Sequence, residues 1–100
     1  MKIAVYAIAL NEIKHVDRWA EATKHADYRI VADTGSTDGT PEALRKHGVS
    51  VYDINIKPWR FDDARNAALA LVPQDADVCV ILDMDEVLDK NFIKIGRAHV

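Results

Sequence analysis

Three carboxylates follow directly on an apolar run late in the chain. The run occupies positions 78–82, and the acidic residues are Asp83, Asp85 and Glu86. Such a run, bounded by turn signals, is typical of a strand buried on both faces. Ligands of open α/β sheets collect beyond the carboxyl ends of the strands, so carboxylates at this point predict a hard-cation site. Because alternate side chains point to opposite sides, Asp83 and Asp85 can serve a metal and a ligand hydroxyl separately. A solvated acidic turn is the other interpretation.

Two further polar motifs stand earlier in the chain. The segment 33–39 follows another apolar run, and Arg65 lies on a stretch with helical spacing. Asp33 can accept a hydrogen bond from a base N–H or a ribose hydroxyl, while Gly35 and Gly39 let the backbone turn tightly and approach a ligand. Without a ligand, Asp33 is an ordinary Asx-turn residue. Arg65 can neutralise phosphate or brace the carboxylates, or it can form a surface salt bridge worth less than ~1 kcal/mol.

The elements that must position these motifs alternate regularly. Apolar spacing predicts strands at 2–10, 28–32, 49–53 and 77–82, and helices at 12–25, 41–47 and 61–71. Asn11 is predicted to cap the first helix, and Thr40 the second, with Pro41 at its first helical position. This alternation predicts an α/β fold with about four parallel strands, right-handed crossovers and helices on both faces.

Composition limits the class of protein. The chain has 100 residues, 49% of them hydrophobic, and a net charge of −3, which gives no electrostatic case for a nucleic-acid partner. No run approaches the roughly 18 apolar residues of a transmembrane segment. Cys79, the single cysteine, is predicted to be buried; its lack of a partner favours a reducing, cytoplasmic compartment. His15, His25 and His47 are predicted to be solvated and lack the spacing of a zinc site.

The last six residues break the pattern. Residues 95–100, Ile-Gly-Arg-Ala-His-Val, interrupt a helical stretch, and their codons can match a sequencing-adapter oligonucleotide. We therefore expect 1–94 to be the N-terminal part of a truncated domain and 95–100 to be a non-native tail.

In this order the motifs resemble the nucleotide-sugar half of family 2 glycosyltransferases, which have the GT-A fold. The resemblance is carried by the segments 33–40, 64–66 and 83–86. Asn11-Glu12 and the Trp59-x-Phe61 stretch are most similar to the bacterial branch that contains the peptide S-glycosyltransferases. The similarity covers residues 2 to about 94.

The resemblance implies a metal-dependent enzyme. Asp33, Arg65 and Asp83 would contact a nucleotide-diphosphate sugar, first of all a uridine-diphosphate sugar, and Asp85 with Asp83 would hold Mn²⁺ or Mg²⁺. Family 2 enzymes invert the anomeric centre with a base placed well downstream, so no catalytic residue is assigned in this chain. The acceptor, whether peptide, lipid or saccharide, stays open. So does the base, because Thr34 replaces an Asp that is common in the family.

Other classes of protein stay open at this point. In a haloacid-dehalogenase-like phosphohydrolase, Asp83 would be the nucleophile and Asp85 the general acid, although that motif normally follows the first strand of its domain. Asp33-Thr34-Gly35-Ser36 matches the tetrapeptide of retroviral-type aspartic proteases, whose nearly all-β fold conflicts with the predicted helices. A truncated, non-catalytic fragment that binds nucleotide weakly is the third alternative.

Overall fold

The computed structural model describes residues 1–55 and 60–84. Seven elements follow one another in the described residues, and their alternation confirms the predicted order. Each lies within a few residues of its predicted position. The elements are β1 (Ile3–Ala9), α1 (Ile13–Ala22), β2 (Tyr28–Asp33), α2 (Thr40–Lys46), β3 (Ser50–Asp53), α3 (Phe61–Ala70) and β4 (Val78–Ile81).

The described strands form one parallel sheet in the order β3-β2-β1-β4. In β1, Ala9 pairs with Asp33 of β2, and Tyr6 pairs with Ile81 of β4. The chain first steps from β1 to β2 to β3, then returns past β1 to β4. Right-handed crossovers therefore place α1 and α2 on one face of the sheet and α3 on the other. The packing agrees, since α1 lies against α2 and α3 lies against β1 and β2. The predicted α/β architecture is confirmed.

The two faces of β1 differ in what covers them. Val5 and Ala7 belong to the core cluster that also contains Trp19 of α1 and Leu44 of α2. On the other face α3 packs against the sheet and buries small side chains, among them Ala64. Strand β1 is therefore packed on both faces, by large side chains of α1 and α2 on one and by alanines of α3 on the other.

Both predicted helix caps are wrong. Asn11 adopts φ 53° and does not cap α1, because its Oδ1 accepts a hydrogen bond from the N–H of Thr37 at 2.8 Å. Helix α2 begins at Thr40 itself, with Gly39 before it in the left-handed region at φ 92°. The Thr40 hydroxyl instead accepts the N–H of Glu12 at 2.9 Å. In both cases the side chain bonds a backbone N–H of the other loop and not the N–H groups of the helix that follows it.

Two burial predictions also fail. Cys79 is exposed; among the described elements β4 is an outer strand of the sheet, and α3 packs mainly on β1 and β2. The apolar run is therefore not buried on both faces along its whole length. The His15 side chain is only 18% exposed, since Glu12 and Arg18 lie beside it, whereas His25 and His47 are exposed as predicted. No helix within 1–55 and 60–84 has the length and apolarity needed to cross a membrane.

Candidate functional site

The strand order reverses between β1 and β4. From β1 the chain leaves through α1 on one face, whereas it reaches β4 through α3 on the opposite face. Open α/β sheets bind ligands in a crevice at the carboxyl ends of the two strands between which the order reverses, here β1 and β4. The loop after β1, the first turns of α3 and the segment after β4 all meet this edge.

Asp83 is directed to the crevice by its two neighbours. Leu82 is 1% exposed and Met84 is 2% exposed, and both belong to the core cluster. Because side chains of extended backbone alternate, the residue between them leaves the core. Asp83 is accordingly half-buried, and its Oδ2 lies 3.9 Å from Nη2 of Arg65. At this exposure such a pair adds at most about 1 kcal/mol to the free energy of unfolding, so its importance lies in the charges that it brings together.

A buried hydrogen bond fixes the backbone just before Asp83. Nε1 of Trp19 donates to the carbonyl oxygen of Leu82 at 3.0 Å. A bond of this kind contributes a net 0.5–1.5 kcal/mol, roughly, and leaving its donor unmet would cost more. The helical spacing predicted for 12–25 gave no sign of this contact with Leu82.

Asp33 closes its own turn. The residue is 2% exposed, and its Oδ2 accepts the backbone N–H groups of Gly35 at 3.1 Å and Ser36 at 2.9 Å. Its Oδ1 accepts the Ser36 hydroxyl. The Asx-turn interpretation thus describes the geometry of this carboxylate, which shapes the loop after β2.

Asp33 and Asp83 share the carboxyl edge of the sheet, as the parallel strands predicted. Asp33 ends β2, and Asp83 follows β4, with β1 between them. Two strand spacings, about 10 Å, therefore separate the two strand ends. Asp33 also borders an open cleft of about 370 Å³ on its other side, between β2, β3 and α2, lined in addition by Asp53 and Arg45.

The loops after β1 and β2 are bonded to each other. The N–H of Thr34 donates to the carbonyl of Ala9 at 2.9 Å, which carries the strand pairing past the end of β2. The N–H of Asn11 donates to the Ser36 hydroxyl at 2.8 Å, and the Asn11 amide oxygen accepts from Thr37. The two loops consequently form one structural unit at this edge.

Helix α1 is capped from the second loop. Oδ2 of Asp38 accepts the N–H of Ile13 at 3.1 Å, and Thr40 accepts that of Glu12. The Thr40 hydroxyl also donates to Asp38, and this bond, with the N–H of Ile13, lowers the pKa of the Asp38 carboxyl. Motifs read along the chain could not find this arrangement, because both caps come from another segment. The one feature of the sequence that indicates it is that a polar loop follows each of the two adjacent strands β1 and β2.

Glu12 is a candidate site residue that the sequence marked only as part of Asn11-Glu12. Its Oε2 is buried and accepts no hydrogen bond from the described residues; it lies 4.0 Å from Nε2 of His15. Nδ1 of His15 lies 3.1 Å from the Arg18 guanidinium. Because arginine only donates, Nδ1 accepts, and Nε2 carries the proton that faces Glu12. At 4.0 Å this N–H is too far from Oε2 to donate a hydrogen bond to it.

Comparison with known proteins identifies the family. The sequence model described as Glycosyl transferase family 2 matches residues 7–96. The chain belongs to glycosyl transferase family 2. The aspartic-protease interpretation is wrong, because the fold is a parallel α/β sheet, and the phosphohydrolase interpretation gives way to this match.

Relatives of this family 2 chain are longer. The chain is 28% identical over 92 residues to the lipopolysaccharide core biosynthesis glycosyltransferase LpsC of Rhizobium meliloti (strain 1021), a match that covers 90% of the chain and 34% of LpsC. In structure it resembles glucosyl-3-phosphoglycerate synthase of Mycobacterium tuberculosis solved with Mn²⁺, uridine diphosphate and glucosyl-3-phosphoglycerate. That match has a TM-score of 0.77 and 24% identity, and covers 93% of the chain and 37% of the synthase. A mycobacterial protein matches with a TM-score of 0.80, 24% identity, and coverage of 97% and 36%. The chain thus spans about a third of the length of these relatives.

Of the ligands predicted for a metal in this family 2 chain, Asp83 is the one within the described residues. Asp85 and Glu86 lie outside them. Across 1–55 and 60–84 no group of three or more His, Cys, Asp or Glu side chains is arranged to hold a metal ion. The described carboxylates alone therefore make no closed metal centre.

Proposed function

We propose that this chain is the donor-binding part of a metal-dependent, inverting glycosyltransferase. Its donor is a nucleotide-diphosphate sugar, with uridine diphosphate as the first nucleotide to test, and the acceptor is a peptide, a lipid or a saccharide. The observation that carries the proposal is the pairing of Arg65 with Asp83 at the crevice between β1 and β4. A cation and a carboxylate side by side at this edge suit a ligand that presents both phosphates and ribose hydroxyls.

The related mycobacterial synthase supports the choice of ligands. Its structures were solved with Mn²⁺ and uridine-diphosphate-glucose, and with Mg²⁺ and uridine diphosphate. At 24% identity this likeness shows only a shared fold. That the present chain binds the same donor and metal is therefore part of our proposal.

Each described site residue has a distinct task in this mechanism. The Arg65 guanidinium attracts the diphosphate, and Asp83 accepts a hydrogen bond from the ribose. Asp33 keeps the loop after β2 in shape through Ser36, and that loop in turn holds the loop after β1. Inversion needs a carboxylate base that we place downstream of this segment, as in the rest of the family.

The carboxylate oxygen atoms at the site are suitable ligands for a divalent cation. Asp83 supplies a hard carboxylate oxygen at the crevice, and Mn²⁺ or Mg²⁺ needs only one or two protein carboxylates when a diphosphate completes its shell. Asp83 and Asp85 would hold the ion. When bound, it would stabilise the negative charge of the leaving nucleoside diphosphate.

Calorimetric titration of the full-length protein with uridine diphosphate and uridine-diphosphate-glucose tests the proposal. We expect binding in Mn²⁺ and its loss in EDTA, with affinity about tenfold or more lower in Asp83→Asn, since a charge-assisted contact is worth 1.5–3 kcal/mol, roughly. Asp75→Asn is the matched control, because Asp75 bonds Lys2 and Tyr28 at the opposite edge of the sheet. Equal affinity in EDTA and in Asp83→Asn would overturn the proposal.

A further inference from the structure

Trp19 and Leu82 connect two distant parts of the chain. The indole Nε1 of Trp19 in α1 donates to the carbonyl oxygen of Leu82, at 3.0 Å and 63 positions apart in sequence. Both side chains are almost fully buried, at 2% and 1% exposure. A buried indole N–H needs an acceptor, and here the acceptor is the backbone that leads into the acidic motif.

Leu82 is held on both sides of its backbone. It lies one residue beyond the end of β4, where its N–H donates to the carbonyl of Tyr6 in β1 at 3.0 Å. Its carbonyl oxygen accepts a hydrogen bond from Trp19 of α1. Two elements from different layers of the fold thus fix the peptide groups that flank one residue.

The Leu82 carbonyl also sets the direction of Asp83. That carbonyl and the nitrogen of Asp83 belong to the same planar peptide group. Fixing the oxygen therefore fixes the plane from which the Cα of Asp83 departs. Leu82 and Met84, on either side of Asp83, are both buried. The Asp83 side chain therefore points away from the core, toward Arg65.

We propose that Trp19 is a positioning residue for Asp83, which it orients through the Leu82 carbonyl without touching the donor. The inference rests on the proposed donor-binding role of Asp83. It predicts that deleting the indole N–H impairs nucleotide binding more than loss of stability explains, although Trp19 lies inside the protein on α1.

Trp19→Phe removes the indole N–H and keeps an aromatic ring. Thr23→Val is the first control, because the buried Thr23 hydroxyl donates to the Trp19 carbonyl at 2.8 Å within the same helix and does not meet Leu82. Leu44→Val is the second, since it opens space in the same core cluster from α2. Thr23→Val is the control for the loss of a buried hydrogen-bond donor, and Leu44→Val is the control for the loss of side-chain volume.

Two measurements on the full-length protein separate the outcomes. The carbonyl ¹³C chemical shift of Leu82 follows the anchor without any ligand, because it responds to the loss of a hydrogen-bond donor on that oxygen. The carbonyl of Ala9, which accepts from Thr34 at the same edge, is the reference. Calorimetric titration with uridine diphosphate and Mn²⁺ follows the function. In Trp19→Phe we expect the Leu82 carbonyl signal to move upfield while that of Ala9 stays in place, and affinity to fall about tenfold. Both controls should keep the wild-type Leu82 carbonyl shift and affinity.

Each result decides one of the two proposals. An unchanged Leu82 carbonyl shift in Trp19→Phe, or a changed shift with full affinity, would overturn the positioning role. An affinity loss in Thr23→Val or Leu44→Val as large as in Trp19→Phe would overturn it as well. A wild-type protein that binds no uridine diphosphate would instead refute the donor-binding function, while the Leu82 carbonyl shift would still show whether Trp19 holds Leu82.

Discussion

The guanidinium of Arg65 lies 3.9 Å from the carboxylate of Asp83, which links α3 to the segment after β4. The two side chains are 41% and 36% exposed, so solvent screens most of their attraction. The pair sits where the strand order reverses. Its position, more than its strength, indicates a role in binding.

Arg65→Gln separates binding from stability. We expect the midpoint of thermal unfolding to change little, because an exposed ion pair contributes at most about 1 kcal/mol. Affinity for uridine diphosphate should fall about tenfold to a hundredfold, as expected when a charged hydrogen-bond donor to phosphate is lost. Arg18→Gln, in α1, is the control for loss of an exposed arginine. Calorimetry and thermal denaturation of the same samples would refute the role if both variants bound equally.

Asp38 should make stability depend on pH in acid. Its folded-state pKa is lowered, mainly by the Thr40 hydroxyl and further by the N–H of Ile13. The stabilisation is therefore present above the ordinary pKa of an aspartate and disappears as the pH falls through the lower folded value. Asp38→Ala should lower the unfolding midpoint at neutral pH and flatten its fall in acid. Asp38→Asn, which keeps an acceptor for the helix N–H groups, should retain more of the midpoint. A wild-type acid profile in Asp38→Ala would contradict this.

Leu82 is expected to tolerate no charge. Leu82→Asp places an unpaired carboxylate at a site with 1% exposure and should prevent folding, whereas Leu82→Met should cost less than about 1.5 kcal/mol. Leu69→Asp is the matched control, since Leu69 is 42% exposed on α3. Circular dichroism should show a folded protein for Leu69→Asp and Leu82→Met only. Cooperative unfolding of Leu82→Asp would show that the strand end is not part of the core.

Asp85 provides a test of the metal proposal beyond the described residues. In the full-length protein Asp85→Asn should abolish sugar transfer and leave thermal unfolding close to wild type, because the predicted position is a loop that holds a cation. Turnover is measured with Mn²⁺, with Mg²⁺ and after EDTA. Wild-type turnover in Asp85→Asn would remove the metal-dependent transferase from consideration.

Local signals in the sequence were sufficient for the architecture. Alternating apolar periodicity placed the strands and helices, and because parallel strands end at one edge, it also placed Asp33 and Asp83 at the same edge of the sheet. The motifs also predicted the family. These features depend on backbone conformation and strand direction, which residues close in sequence decide.

The tertiary structure decided which groups bond to which. Asn11 lost its capping role to a contact with Thr37, and Cys79 became exposed because β4 is the outer strand of the described sheet. The contact of Trp19 with Leu82 has no local signature either. Such pairings depend on strand order and on how helices cross the sheet, so they arise only once segments that are distant in sequence have packed. Periodicity along the chain carries no record of them.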